Sequence, residues 1–104
     1  MNAASRGQPF SAVQWLNAVY CHPARPSALQ RDVLTALAVK FIDWGTGTGY
    51  ASIQMLAEFT RHTMSTVKRA LRWGRQTLLL VQTRRGHRLG NGKVVASEWR
   101  LQLV

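Results

Sequence analysis

Nine Lys and Arg side chains lie between Phe59 and Ser97, and this stretch contains no Asp or Glu. The whole chain of 104 residues has a formal net charge of +10, so this stretch supplies most of it. Cationic side chains form charge-assisted hydrogen bonds with phosphates and other anions. Because one-sided charge repels itself in a folded domain, we expect a polyanionic partner, and nucleic acid is the commonest polyanion. The nine residues are Arg61, Lys68, Arg69, Arg72, Arg75, Arg84, Arg85, Arg88 and Lys93.

Other kinds of chemistry are poorly represented in the chain. The acidic residues show no spacing typical of a paired general acid and base, and no nucleophile motif is present. Cys21 is the only cysteine and the three histidines are scattered, so no metal-ligand spacing appears. We therefore expect no enzyme activity, no metal and no cofactor. The acidic residues are Asp32, Asp43, Glu58 and Glu98.

Length and composition favour one globular domain. Apolar residues make up 46% of the chain and charged residues 17%, which is typical of a folded protein. No apolar run approaches the roughly 18 residues of a membrane span, and the polar stretch from Met1 to Pro9 does not resemble a secretory signal. We therefore expect a cytoplasmic, nucleoid-associated protein that makes no membrane contact. Residues 1–8 are expected to be disordered and residues 9–104 to form the domain.

Four segments combine a capping residue with the apolar period of a helix. Ser11 with Gln14, and Ser27 with Gln30, have the spacing of capping boxes, in which each side chain satisfies a backbone donor at the other position. Ser52 and Thr63 are expected to cap two further helices. The predicted helices cover about residues 11–20, 27–41, 52–60 and 64–75.

The end of the chain is predicted to form a β-hairpin. Residues 78–84 are predicted to be a strand that leaves the core, and residues 94–103 alternate between two faces. Asn91-Gly92, between these segments, is a favoured turn dipeptide. The glycine-punctuated segment 43–49 is predicted to be a loop. The expected fold class is therefore mainly α with a small β-hairpin (α+β).

Several large apolar residues are assigned to the predicted core. Trp15 and Trp99 fall on apolar faces, and Leu71 and residues 78–81 are expected to fix the angle between the fourth helix and the hairpin. Trp44 and Trp73 are expected to cover the edge of the core, although an exposed Trp could stack on a base and Trp73 could also belong to a partner surface.

The order and spacing of these segments resemble winged helix-turn-helix DNA-binding domains. Similar domains occur in proteins of bacterial, notably actinobacterial, phages, plasmids and other mobile elements. Leu56-Ala57 matches the first-helix motif of this family, and residues 65–67 and 69–71 match its recognition helix. The chain departs from the family where Arg61-His62 replaces the usual Gly before the recognition helix, and where Thr77 replaces Gly before the first wing strand. The resemblance covers about residues 27–103 and includes segments 52–58, 63–71, 78–81 and 84–86.

A helical projection of the predicted recognition helix, about residues 64–75, separates an apolar face from a cationic one. Arg can donate two hydrogen bonds to guanine and Gln can pair with adenine, so Arg69 and Arg72 are the expected base readers. Ser65 and Thr66 could hold a phosphate or a base edge at the helix N-terminus. The alternative is a merely solvated helix face, although such a face rarely carries one sign of charge. The outward residues are Ser65, Lys68, Arg69, Arg72 and Gln76.

The resemblance also implies that the hairpin, about residues 84–93, is a wing that follows the DNA backbone or enters the minor groove. Arg suits a narrow minor groove because the negative potential is deep there. Arg61 and Lys93 are expected to contact phosphates. The alternative for the wing is a solvated loop kept soluble by its charge. The expected wing residues are Arg84, Arg85, His87, Arg88 and Lys93.

The resemblance implies sequence-specific binding of double-stranded DNA by a transcriptional regulator of a mobile element. The alternative is the DNA-binding module of a plasmid replication or partition protein, since the chain stops at Val104 directly after a strand. An RNA-binding role is a third alternative, although no aromatic stacking motif of the usual RNA-binding modules is present. The first helix, with Trp15 and Tyr20, is expected either to form a homodimer contact or to pack onto its own core.

Overall fold

Four helices and six short strands follow one another in the computed structural model, which describes residues 11–88, 90 and 94–103. The predicted disordered segment, residues 1–8, lies outside these described residues. The helices are α1 (Ala12–Tyr20), α2 (Ala28–Ala36), α3 (Ile53–Thr60) and α4 (Met64–Gln76). A π-helical turn (Leu37–Phe41) continues α2. The strands are β1 (Ile42–Asp43), β2 (Thr48–Ala51), β3 (Leu80–Arg84), β4 (His87–Arg88), β5 (Val94–Val95) and β6 (Ser97–Leu101).

Each helix begins at the residue predicted to cap it. The side chain of that residue accepts a hydrogen bond from the backbone N–H three positions later, which satisfies a donor that the helix start leaves unpaired. At Ser27 the arrangement is reciprocal, because the Gln30 side chain accepts from the Ser27 N–H at 2.8 Å. Replacing such a cap by Ala typically costs about 1 kcal/mol. The capping residues are Ser11, Ser27, Ser52 and Thr63.

The sheet is larger than the predicted hairpin, although the α+β class is confirmed. Four antiparallel strands lie in the order β1, β2, β6, β3, and β4 pairs separately with β5. Residues 43–49, predicted to be a loop, form the turn and part of both strands of a β1–β2 hairpin. That prediction holds for residues 44–47, which form the turn, and was wrong for Asp43, Thr48 and Gly49, because Asp and Gly are usually depleted in strands. Here Gly49 pairs with Ile42, and a Cβ at this position would collide with the carbonyl oxygen of Phe41.

Two tryptophans hold the core together, as the sequence predicted. Trp15 is 0% exposed and Trp99 is 3% exposed. Their indole N–H groups donate to the carbonyl oxygens of Leu79, at 2.8 Å, and Ala51, at 3.0 Å, so neither buried donor is left unpaired. Trp15 thereby joins α1 to the segment between α4 and β3.

The other two tryptophans lie in different environments. Trp44 is exposed and its indole N–H donates to the Ala38 carbonyl oxygen at 2.9 Å. Trp73 is buried, with its ring centroid 5.3 Å from that of His22 in an edge-to-face arrangement. Because Trp73 is buried within the domain, it covers the core rather than offering a face to a partner.

The first helix packs onto its own domain. Trp15 and Val19 on α1 are fully buried. The Tyr20 hydroxyl forms a hydrogen bond with the Thr35 hydroxyl of α2 at 3.2 Å. Of the two expected roles of α1, packing onto the core is therefore confirmed, and a homodimer contact through its exposed side stays a prediction.

A short turn, residues 61–63, joins α3 to α4. Arg61 adopts the left-handed conformation with φ of 62°, which is the conformation that a glycine adopts most readily. His62 Nε2 lies 2.6 Å from the carboxylate oxygen Oδ2 of Asp32 on α2. Thr63 then caps α4. The three turn residues 61–63 therefore fix the direction in which α4 leaves the turn.

The C-terminus of α4 ends in the hydrogen bonds of a Schellman motif. The N–H of Leu79 donates to the Gly74 carbonyl and the N–H of Leu78 to the Arg75 carbonyl, both at 3.1 Å. Leu78 takes the left-handed position of the motif with φ of 66° and is 57% exposed. Its predicted place in the core was therefore wrong, because the motif turns the chain so that Leu79 and Leu80 enter the core instead.

Candidate nucleic-acid interface

The predicted division of α4 into an apolar and a cationic face is confirmed. A Cβ on Gly74 would lie 3.0 Å from the Cβ of Leu80 and 3.5 Å from Cδ2 of Leu34, so α4 packs closely against β3 and α2. The inner face buries Val67, Ala70, Leu71 and Gly74. The outer face exposes Ser65, Lys68, Arg69, Arg72 and Gln76.

Two hydroxyl residues at the start of α4 differ in accessibility. Thr66 is half-buried, and its hydroxyl accepts a hydrogen bond from the Thr63 hydroxyl at 3.0 Å. The Thr66 N–H also donates to Thr63 Oγ1 at 3.2 Å, so Thr66 takes part in the cap. Ser65 is exposed and is the more accessible of these two predicted contacts.

The adjacent residues Arg84 and Arg85, at the end of β3, lie in different surroundings. Gln82 pairs with Trp99 and Arg84 pairs with Glu98, so Thr83 is the extra residue of a β-bulge. Arg84 and Glu98 therefore share the face of the sheet opposite to the Trp99 side chain. Arg85 instead borders the space between α4 and the sheet. Of these two predicted wing contacts, the fold brings only Arg85 close to α4.

Glu98 is the acidic neighbour of Arg84. Side-chain hydrogen bonds from Thr83, at 2.8 Å, and from Tyr50 lower the pKa of the Glu98 carboxyl below its ordinary value, and the positive charge of Arg84 lowers it further. Glu98 is thus held in its charged form beside Arg84. Because that carboxylate offsets part of the positive charge of Arg84, Arg85 presents the stronger positive potential to a polyanion.

The remaining predicted contacts lie in the hairpin and in the α3–α4 turn. His87 and Arg88 form β4, and their backbones pair with Val95 and Val94 of β5. Lys93 lies outside the described residues. Arg61 is exposed in the turn that precedes the first turn of α4. Of these predicted contacts, Arg61 therefore lies next to the start of α4 along the chain.

An open cleft of about 540 Å³ separates α4 from the inner face of the sheet. Four cationic side chains border it, and the described residues that line it include no Asp or Glu. Ser52, the N-cap of α3, also lines the cleft, so the positive end of that helix dipole contributes to the potential there. The four cations are Lys68, Arg72 and Arg75 from α4 and Arg85 from the end of β3.

Arg75 belongs to this cluster but was not among the contacts expected from the sequence. Its guanidinium carbon lies 6.0 Å from the centroid of the Trp99 ring, and its Nη1 donates to Gln82 Oε1 at 3.2 Å. The spacing of Lys68, Arg72 and Arg75 at i, i+4 and i+7 could have identified it, because such positions form one stripe along a helix. This stripe faces the cleft and lies beside the one that carries Ser65, Arg69 and Gln76.

A second cleft of the described surface offers less for an anion to bind. This cleft, of about 270 Å³, is lined by Glu58 and by no described cation. Within residues 11–88, 90 and 94–103, no group of three or more His, Cys, Asp and Glu side chains could hold a metal ion. No helix in that part of the chain has both the length and the apolar character needed to cross a bilayer.

Known proteins give no independent guide to this interface. Comparison of the chain with protein-family models, with curated proteins and with solved structures finds no match. The interface is therefore defined by the charge, exposure and packing of its own residues, above all those of α4 and of the cleft beside it.

Proposed function

We propose that this chain is a winged helix-turn-helix domain that binds double-stranded DNA, with α4 as the recognition helix and the β3–β6 hairpin as the wing. The arrangement of the elements supports this proposal. The chain passes through α2, β2, α3, α4, β3 and β6 in that order, and β6 lies between β2 and β3 in the sheet. A tight turn joins α3 to α4, as in DNA-binding helix-turn-helix motifs.

The observation that carries the proposal is the unbroken positive charge of the exposed side of α4. Lys68, Arg69, Arg72 and Arg75 are all exposed, and the helix contains no acid. α4 has 13 residues, which corresponds to a length of about 20 Å. The major groove of B-form DNA, roughly 12 Å wide, admits a helix of this kind.

The side chains divide into two roles along this surface. Arg69 and Arg72 read base edges, because an Arg side chain can donate two hydrogen bonds to guanine. Gln76 and Ser65 lie on the same exposed stripe as Arg69 and add further base or phosphate contacts. Lys68 and Arg85 border the cleft towards the hairpin and contact phosphates, which gives affinity and orientation rather than sequence preference.

The same features favour duplex DNA over RNA. The major groove of A-form RNA is too deep and narrow for side chains to read. Recognition of single-stranded RNA relies on exposed aromatic side chains for base stacking. Trp99, the aromatic residue that lines the cleft, is 3% exposed, so the cleft itself offers no such platform. Following the family that the sequence resembles, we further propose a cytoplasmic role in transcriptional regulation.

Selection of bound fragments from a random pool of duplex DNA tests this function. We expect enrichment of a short common sequence, which then binds in preference to a structured RNA competitor at the same salt concentration, because affinities of this kind are meaningful only at a stated salt. Equal or stronger competition by the RNA, or a pool that gains no common sequence, would contradict sequence-specific DNA binding.

A further inference from the structure

We infer that the cleft between α4 and the sheet is a binding site for a single phosphate ester, and that Arg75 fixes the ester within it. This inference rests on the proposed function in so far as the backbone of duplex DNA is the expected source of the ester. A free nucleotide or another small phosphate ester has the same chemistry and is the second possible source.

The charges around the cleft favour an anion. Lys68, Arg72, Arg75 and Arg85 border one space of about 540 Å³, and no described lining residue is acidic. Like charges at such close quarters repel one another, so an anion placed among them lowers the electrostatic energy. The planar guanidinium groups match the geometry of phosphate oxygens, to which Arg can donate two parallel hydrogen bonds.

Contacts with described residues already hold the Arg75 side chain in place. Gln82 accepts one hydrogen bond from its Nη1, and the guanidinium also lies over the Trp99 ring. A guanidinium has five N–H donors, so four remain after this hydrogen bond. Since the side chain is ordered before any ligand arrives, binding costs less side-chain entropy than it would at a mobile Arg.

The group that holds Arg75 is itself connected to the hairpin. Gln82 Nε2 donates to the Ser97 hydroxyl oxygen at 2.9 Å, and the Gly86 N–H donates to the same oxygen at 2.9 Å. A Cβ at position 86 would lie 2.5 Å from the Val95 carbonyl oxygen, so the chain can approach this closely only because the residue is glycine. An ester bound by Arg75 would therefore be positioned relative to both α4 and the hairpin.

The size of the cleft agrees with a group larger than phosphate alone. Small-molecule sites usually have volumes of about 300–1,000 Å³, and the cleft lies within that range. Ile53 and Leu71 supply apolar surface among its lining residues. A phosphate with its attached sugar, from DNA or from a nucleotide, thus fits both the charge and the size of the site.

The first test measures the salt dependence of binding to a mixed-sequence DNA duplex. We compare Arg75→Gln and Arg85→Gln with Arg100→Gln, in which the same charge is removed from an exposed residue on the other face of the sheet. Loss of one phosphate contact reduces the slope of log K against log salt by about 0.9. We expect this reduction for the two cleft variants and no change for Arg100→Gln. Thermal unfolding of each variant confirms that it is folded.

The second test uses the DNA-free domain and follows its backbone amides by NMR while inorganic phosphate or adenosine monophosphate is added. We expect saturable shifts at Gly86 and Ser52 that disappear in Arg75→Gln. If both probes bind with similar, weak affinity and the two cleft variants show the reduced salt slope, the backbone of DNA is the source of the ester. Much tighter binding of the nucleotide identifies a free ester. Absence of shifts, with the cleft variants matching Arg100→Gln in slope, would overturn the inference.

The two proposals can fail separately in these experiments. In one outcome the domain binds no duplex DNA, but phosphate shifts the amide signal of Gly86 in the native protein and not in Arg75→Gln. The DNA-binding function is then wrong, and the cleft is a site for a free phosphate ester. If the domain selects a DNA sequence while Arg75→Gln and Arg85→Gln change neither slope nor shifts, the function stands and the phosphate site is wrong.

Discussion

Arg84 and Glu98 face each other on the neighbouring strands β3 and β6, on the side of the sheet opposite to Trp99. The bulge at Thr83 produces this arrangement, because one extra residue reverses which side chains of β3 face the helices. Without the bulge, Arg84 would share the face of Trp99 and Arg85 would not. The bulge therefore decides which of two adjacent arginines lies beside α4.

This arrangement predicts unequal effects of two otherwise similar substitutions. Arg85→Gln should weaken binding to duplex DNA and reduce the salt slope by about 0.9, since Arg85 borders the cleft and has no described acid beside it there. Arg84→Gln should have a smaller effect, because Glu98 already offsets its charge. Binding titrations over a range of salt concentrations measure both. A larger loss for Arg84→Gln than for Arg85→Gln would show that the hairpin contacts DNA through its other face.

Glu98 should make stability depend on pH. Hydrogen bonds from Thr83 and Tyr50, together with the charge of Arg84, lower its pKa in the folded state below the ordinary value of 4.5. Because the folded-state pKa is the lower one, the ionised carboxylate stabilises the fold at any pH above the pKa that Glu98 has in the unfolded state. This stabilisation is lost as the pH falls from the unfolded-state pKa through the folded-state pKa. The unfolding temperature of Glu98→Gln should therefore lie below that of the native protein at neutral pH and converge with it in acid. A difference that stays constant down to acid pH would exclude this role of Glu98.

The left-handed conformation of Leu78 predicts an unusual order of stability among its variants. A residue with a Cβ pays about 1–2 kcal/mol for this conformation, whereas glycine adopts it freely. Leu78→Ala keeps the strain and Leu78→Gly removes it, while both lose the same partly exposed side chain beyond Cβ. We expect the Gly variant to be more stable than the Ala variant by about 1 kcal/mol in denaturant unfolding. An Ala variant of equal or greater stability would mean that Leu78 is not strained.

The starts of the helices could be predicted from the sequence because capping is local chemistry. A hydroxyl side chain followed by an apolar period determines where a helix begins without reference to the rest of the fold. The predicted start of α4 at Met64 is confirmed, and its end was placed one residue early, at Arg75 rather than Gln76. The exposed and buried faces of α4 followed from the same helical period.

The details of the sheet and cleft could not be predicted because they depend on contacts between distant segments. Gly49 pairs with Ile42 in the sheet so close to Phe41 that no Cβ would fit, and no local pattern indicates that contact. The bulge at Thr83 is set by pairing with β6, so the sequence gives no sign that Arg84 and Arg85 differ. Arg75 belongs to the cleft through Gln82 and Trp99, whose positions depend on the fold of the sheet.

The central claim is that the exposed face of α4 reads DNA bases, and the base preference of Arg69→Ala and Arg72→Ala tests it most directly. Both variants are compared with Arg100→Ala on the selected DNA sequence and on the set of its single-base variants. We predict that each α4 substitution costs about 1–3 kcal/mol at the selected sequence and removes the preference at one base position, while Arg100→Ala keeps the preference intact. If Arg69→Ala and Arg72→Ala both retain the original preference at every position, α4 is not the reading surface.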